Sequence, residues 1–237
     1  MRPLVDGVII IGSNKSNYGE YSEIPKYWID CGMGNDETYL FVQEPQFSHP
    51  MNSETDKRNF GLQKARDLGF THFLTMDADE FYEPEPFIKE RQRFIDNPDL
   101  AGLVCASQVY FKSPTLTIGL DTTLVPFIHK ITNGLKHEFN KRYPFAWSGR
   151  DIRIDPTRAL SIDSGVEWSE IVMHHMSWVR EDYDKKIRNS TARANIEKST
   201  IKEDLLLAKD GYFCKFYGKV LSAAPNLFNL PEYDVLV

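Results

Sequence analysis

Apolar residues along the 237-residue chain fall into short runs that are separated by turn residues and by stretches of helical periodicity. Three of these runs predict strands over 4–12, 38–43 and 71–76. The stretch 53–69 predicts a helix, because Ser53 or Thr55 can cap its first turn. Gly69 can close the same helix. A strand, a helix and a further strand in this order favour a parallel sheet.

The rest of the chain continues this alternation less regularly. A helix is predicted over 83–98, because Pro84 or Pro86 suits a first helical turn. Its apolar stripe is Phe87, Ile88, Phe94 and Ile95. Strands are expected over 101–112 and 170–179, a helix near 131–140, short strands and loops elsewhere in 113–167, a broken helical stretch over 180–211 and an irregular tail over 212–237. We therefore predict one α/β domain over 1–237, with a mostly parallel central sheet flanked by helices and an irregular C-terminal half.

Composition narrows the class of protein. Hydrophobic residues make up 41% of the chain, which is ample for a core, and the net charge of −6 argues against a general nucleic-acid binder. Cys31, Cys105 and Cys214 are widely spaced and form no CxxC pair, which favours buried reduced thiols. No apolar run approaches the roughly 20 residues of a membrane-spanning helix. The N-terminal residues read as a core strand and not as a signal peptide, so a cytoplasmic protein without a transmembrane segment is expected.

Residues 73–82, FLTMDADEFY, place three acids directly after an apolar strand. Side chains alternate along an extended chain, so Asp77 and Asp79 are expected on one face and Glu80 on the other. Parallel sheets bind ligands outside the carboxyl ends of their strands. Two adjacent carboxylates repel each other there, and a hard divalent cation carrying a diphosphate would remove that repulsion. The alternative is that the acids begin a solvated loop.

The segment around these acids resembles the family 2 glycosyltransferases of the GT-A fold. The resemblance is strongest over 38–82 and rests on Arg58-Asn59-x-Gly61-x-x-x-Ala65, then Leu68-Gly69, then DADEF. It implies a GT-A-like domain in which 1–112 holds a nucleotide-sugar donor and a metal ion, while 113–237 forms the acceptor half and the C-terminal helices. A UDP-sugar is the favoured donor, and Mn²⁺ or Mg²⁺ is the implied cofactor.

The resemblance also implies roles for individual residues. Asp77 and Asp79 would ligate the metal ion, with Asp77 also facing the nucleotide, and Arg58 would reach the donor. The first strand ends in IGSN, without the acid that the family usually carries for the nucleobase. Ser13 and Asn14 are the candidates for that contact.

Further candidates lie in the strand EIVMHHMSWV, where His174 and His175 face opposite sides. The segment that starts at His175 and ends at Arg180 is similar to a late segment of some family 2 enzymes. His175 is therefore favoured over His174 as a third metal ligand, and Arg180 is a candidate donor contact.

An inverting sugar transfer also needs a carboxylate base near the acceptor hydroxyl. Glu167 ranks first for this role, because its neighbour Trp168 could stack on an acceptor ring, and Asp151 ranks second. A retaining transfer needs no such base, and the sequence leaves the stereochemistry open.

Other functions are compatible with the same pattern. One is a non-catalytic carbohydrate- or nucleic-acid-binding module on a degenerate glycosyltransferase scaffold, and another is a sugar nucleotidyltransferase. The acceptor is open between a saccharide, a lipid-linked group, a protein and a DNA base. Basic residues such as Lys185 and Lys186 could meet phosphates, but the acids between them favour a solvated helix face.

Overall fold

The computed structural model describes residues 4–16, 18, 21, 38–44, 49–143, 153–190 and 192–233. Its helices are α1 (Pro50–Asp67), α2 (Pro84–Asp96), α3 (Tyr183–Asn189), α4 (Arg193–Ile196) and α5 (Ile201–Leu207). Its strands are β1 (Val8–Gly12), β2 (Thr38–Val42), β3 (His72–Leu74), β4 (Glu80–Phe81), β5 (Gly102–Phe111), β6 (Ser113–Lys130), β7 (Arg153–Ile154), β8 (Val166–Trp178), β9 (Phe213–Cys214), β10 (Lys219–Val220) and β11 (Ser222–Ala223). Cys31 and Asp151 lie outside the described residues.

A seven-stranded mixed sheet forms the centre of the fold. Its strand order is β11-β6-β5-β8-β4, and β3 and β7 also pair with β6. Strand β5 runs parallel to β8 but antiparallel to β6. Strand β3 pairs antiparallel with β6, and β4 pairs antiparallel with β8. The prediction of a mostly parallel sheet is therefore wrong. The physical reason is a tight hairpin at Lys112 (φ 70), which returns the chain directly from β5 to β6 where a parallel sheet would need a crossover.

Helix α1 follows the predicted pattern but begins earlier than expected. It starts at Pro50, and the His49 side chain caps it by accepting the Met51 N–H at 3.3 Å, so the predicted cap at Ser53 or Thr55 is wrong. Its end is as predicted, because Gly69 adopts a left-handed φ of 80° that closes a helix with little strain.

The residues of the Arg-Asn-x-Gly motif fix α1 against its neighbours. The Asn59 side chain exchanges two hydrogen bonds with the His137 backbone, at 2.9 Å to the carbonyl and 2.7 Å from the N–H. A Cβ at Gly61 would lie 3.3 Å from Ile11 of β1, so glycine permits the close approach of helix and strand. Ala65 is buried. Part of the family-like motif is therefore explained by packing alone.

The other predicted elements are confirmed to different extents. Pro84 opens α2, but of the predicted apolar stripe Phe87 and Phe94 are buried, while Ile88 and Ile95 are exposed. Residues 113–130 form the long strand β6 in place of short strands. Residues 131–143, all of them described, contain no helix, so the helix near 131–140 is wrong. The stretch 180–211 holds three short helices, with α5 beginning directly after the predicted break.

The core consists of several hydrophobic clusters that include residues of the sheet. One cluster packs α2 against the sheet around Phe87, Leu103 and Phe127, and another packs the C-terminal helices against it around Trp178 and Ile201. Both cysteines among the described residues, Cys105 and Cys214, are buried free thiols, as predicted. None of the helices within the described ranges combines the length and apolar character that a membrane crossing requires.

Candidate functional site

The Asp-Ala-Asp-Glu segment is a turn and not the end of an extended strand. The Glu80 N–H donates to the Asp77 carbonyl at 3.2 Å, and the Glu80 carboxylate accepts the Asp77 N–H at 2.9 Å. The Met176 N–H of β8 donates to the Asp79 carbonyl at 2.7 Å and anchors the turn to the sheet edge. Strand alternation therefore does not apply here, and the prediction that Asp77 and Asp79 share a face opposite Glu80 is wrong.

Asp77 is held by two buried arginines. Arg158 Nη2 lies 2.7 Å from its carboxylate and Arg58 Nη2 lies 3.3 Å from it, while Arg58 also contacts Glu54 at 2.5 Å. Burial opposes ionisation of Asp77, but Arg158 and Arg58 outweigh it and hold the pKa of this carboxyl well below its ordinary range. Asp77 is therefore a fixed carboxylate, and its own side chain is half-exposed.

Arg158 also ties this turn to a second segment of the chain. Its guanidinium makes two hydrogen bonds to the buried Glu80 carboxylate, one of them at 2.9 Å. Its Nε lies 3.3 Å from Asp155, whose carboxylate caps a local turn by accepting the Thr157 N–H at 2.9 Å. Burial raises the pKa of Glu80, and the Arg158 charge opposes that rise. Breaking such a pair would leave an unpaired buried charge.

Asp79 is held by a different and more exposed set of cations. Arg180, which follows β8, lies 2.7 Å from its Oδ2, and Lys186 of α3 lies 3.3 Å from the same oxygen. His175 Nε2 lies 3.7 Å from the other oxygen, Oδ1. Burial opposes ionisation, yet Lys186, His175 and Arg180 lower the pKa of Asp79 below its ordinary value. The carboxylate is therefore charged at neutral pH.

Only one of the two adjacent histidines lies at the aspartates. His175 pairs with Glu80 across the β4–β8 ladder, and burial lowers its pKa while Asp79 opposes that effect. His174 lies on the other face, where its Nδ1 is hydrogen-bonded to the Tyr110 hydroxyl at 3.0 Å. The structure thus brings together Asp77, Asp79, His175, Arg58 and Arg180 from the residues singled out in the sequence.

The remaining sequence candidates lie elsewhere. The Ser13 hydroxyl closes a local turn by donating to the Lys15 carbonyl at 2.9 Å, and Asn14 sits in the same turn. Glu167 contacts Arg93 at the start of β8, whereas His175 is near its end. Eight residue steps along β8 separate Glu167 from His175, which amounts to at most roughly 25 Å because the strand has a register shift between them. Asp151 lies outside the described residues, and the structure does not bring Glu167 to the aspartates.

Sequence reasoning missed the residues that contact the aspartates from distant segments. The sequence pattern does not single out Arg158, it predicts Glu80 on the face opposite the aspartates, and it favours a solvated helix face for Lys186. The only local signal for Arg158 is the turn-forming stretch Asp155-Pro156-Thr157-Arg158. That stretch predicts a turn but not its partner, because the partner lies in another segment of the chain.

The donor types at this site suit a hard divalent cation, since carboxylate oxygens and a neutral imidazole are ligands for Mn²⁺ and Mg²⁺. Asp79 and Asp77 both act to raise the pKa of His175, against the larger lowering effect of burial, which places the three groups within electrostatic range of one another. Within the described ranges, however, no group of three or more His, Cys, Asp or Glu side chains is arranged to hold a metal ion. The carboxylate and imidazole groups are of types that bind a divalent cation, but the ion pairs of the two aspartates would have to break before one could bind.

Comparison with known proteins adds no assignment: no protein-family model matches the chain, and no curated protein is significantly similar to it.

Proposed function

We propose that this protein is a metal-dependent glycosyltransferase, which moves a sugar from a nucleotide-diphosphate donor to an unidentified acceptor. UDP-sugars are the favoured donors, and Mn²⁺ or Mg²⁺ is the favoured cofactor. One observation carries the proposal: four cations from separate segments, together with His175, converge on two aspartates at a sheet edge. The four cations are Arg58, Arg158, Arg180 and Lys186.

This charge pattern is complementary to a nucleotide diphosphate bound with a cation. Arg180 and Lys186 are partly exposed and could donate charge-assisted hydrogen bonds to phosphate oxygens. Such donors would also stabilise the charge that develops on the departing diphosphate. Asp77, Asp79 and His175 would hold the divalent ion, which would supply further neutralisation of that leaving group.

The buried arginines have a different role in this proposal. Arg58 is enclosed between Glu54 and Asp77, so it positions the aspartate and does not contact the donor directly.

Ser13 and Asn14 stay candidates for the nucleobase, because Tyr18 from the same loop donates to the Ser190 carbonyl just beyond α3 at 3.0 Å. The loop after β1 and the end of α3 therefore border one region.

A second candidate is the non-catalytic binding module. It is favoured by one observation, namely that each aspartate is already paired with cations of the chain. A scaffold that has lost catalysis would tolerate such pairing permanently. The experiment below separates the two candidates.

The test is a thermal-shift screen of UDP, GDP, ADP and CDP with and without Mn²⁺, followed by donor hydrolysis assays. A nucleotide that binds the folded state raises the melting temperature by mass action, and we expect the rise to be largest with Mn²⁺ present. Asp79→Asn should lower hydrolysis by at least about 100-fold, the scale at which single charge-stabilising groups act.

Two results would contradict the proposal. Folded protein that hydrolyses no donor sugar with Mn²⁺ would favour the binding module. Full hydrolysis by Asp79→Asn, at an unchanged melting temperature, would remove Asp79 from the site.

A further inference from the structure

The two cations on Asp79 occupy the oxygen that the proposed function needs for the metal ion. Arg180 Nη2 lies at 2.7 Å and Lys186 Nζ at 3.3 Å from the same Oδ2 atom. A divalent ion that approached this carboxylate would therefore meet two positive charges within a few ångströms, in addition to its intended ligand. Like charges at such distances repel, most strongly where water is partly excluded.

These two cations differ from the arginines on Asp77 in their freedom to move. The side chains of Arg180 and Lys186 are 30% and 25% exposed, whereas those of Arg58 and Arg158 are 6% and 2% exposed. Long basic side chains keep a flexible stem and reach water when one end of them is exposed. Arg180 and Lys186 can therefore change partners without unpacking the core.

We infer that Arg180 and Lys186 act as exchangeable counter-ions, which release Asp79 to the cation only when a diphosphate takes their place. The inference rests on the proposed donor site and concerns its regulation. The diphosphate offers both cations new anionic partners, and their departure removes the repulsion at Asp79. Cation and diphosphate should consequently bind cooperatively, and each should raise the affinity of the other by the same factor.

Lys186→Met tests this exchange because it should move two affinities in opposite directions. The substitution removes one competitor from Asp79, so Mn²⁺ alone should bind more tightly. It also removes one phosphate contact, so methylenediphosphonate alone, a non-hydrolysable diphosphate without a base, should bind more weakly. We expect each dissociation constant to change by about 5-fold or more, the lower end of typical coupling between sites. Isothermal titration calorimetry measures both affinities without any enzymatic turnover.

Lys185→Met is the matched control. It removes the same charge from the neighbouring position on α3, but Lys185 is exposed, and its backbone N–H donates to Asp182 at 2.7 Å. Both affinities should stay at the wild-type value, which excludes a general charge effect. Arg180→Met is the second test variant and should shift both affinities in the same directions as Lys186→Met. Melting temperatures without ligand establish that each variant is folded.

The outcomes separate the inference from the proposed function. Wild-type protein that binds neither Mn²⁺ nor methylenediphosphonate overturns the donor site and the exchange together. Wild-type protein that binds both, with Lys186→Met and Arg180→Met leaving Mn²⁺ affinity unchanged or weaker, overturns the exchange alone.

Discussion

Asp77 and Asp79 are two residues apart, yet they are held in contrasting ways. Asp77 is fixed by Arg58 and Arg158, whose side chains are almost fully buried. Asp79 is held by Arg180 and Lys186, whose side chains reach solvent. The cations that hold Asp77 thus belong to the core and those that hold Asp79 border the surface, although the Asp77 side chain is itself the more exposed of the two aspartates.

The contrast shows that a carboxylate can be paired for two different reasons. A buried partner such as Arg158 must stay in place, because its charge is compensated in the core by Glu80, Asp77 and Asp155. An exposed partner such as Lys186 can be solvated by water when it leaves. The first arrangement stabilises the fold and the geometry of the turn, and the second leaves a carboxylate available for a ligand.

The largest effect is expected from breaking the buried half. Arg158→Met leaves the Glu80 carboxylate buried without its partner and should lower the free energy of unfolding by about 3–5 kcal/mol. Chemical denaturation in urea, with the slope compared to wild type, measures this loss.

Arg180→Met is the comparison on the exposed half. Its ion pair with Asp79 is partly solvated, and we expect a loss below about 1 kcal/mol. Equal losses for the two variants would show that the two halves do not differ in the way their burial indicates.

The same division explains what the sequence could predict. The strand, helix and strand before the turn follow from local signals, namely apolar runs and the closing Gly69. The turn itself does not: hydrogen bonds between Asp77 and Glu80 form it, and contacts from the distant residues Met176 and Arg158 hold it at the sheet edge. Period-two reasoning fails here because the chain is not extended over these residues.

The mixed sheet was missed for a related reason. Strand β6 contains Pro114 and Gly119, which interrupt the pattern locally, and its pairing with β5 shifts register several times. Its stability comes from β5 and β3 on its sides and not from its own propensity. Strand alternation does hold at His174 and His175 of β8, whose side chains have different surroundings on the two faces.

The next effect concerns acid stability, and it arises on the buried side. His137 Nδ1 donates to the Arg158 carbonyl at 3.2 Å, and burial, together with Arg58 and Arg158, lowers the pKa of His137 from 6.5 to about 4. The unfolded chain therefore takes up this proton first. The shifted pKa of His137 therefore contributes about 3 kcal/mol to the free energy of unfolding above about pH 6.5, and this contribution should be lost as the pH falls to about 4.

His137→Gln isolates this contribution, because glutamine keeps a side-chain donor for the Arg158 carbonyl but does not titrate. Urea denaturation of both proteins at pH 7 and pH 4 measures the difference. The variant should lose less stability over that range than wild type does. Identical losses would mean that His137 is not held neutral in the folded protein.

The smallest effect is expected at Glu167, which sequence reasoning ranked first as the catalytic base. Its side chain is 60% exposed and paired with Arg93, so Glu167→Gln should change the free energy of unfolding by less than about 1 kcal/mol.

Hydrolysis assays test whether Glu167 is a general base, because the loss of a general base lowers the rate by about 100-fold or more. Glu167 lies near the start of β8 and His175 near its end. We therefore expect Glu167→Gln to change the hydrolysis rate by less than about twofold, as a surface substitution away from the site would. Donor hydrolysis by Glu167→Gln, beside Asp79→Asn as the inactive reference, decides between these readings. A large loss of hydrolysis at unchanged stability would mean that Glu167 is the base and that the acceptor binds near the start of β8.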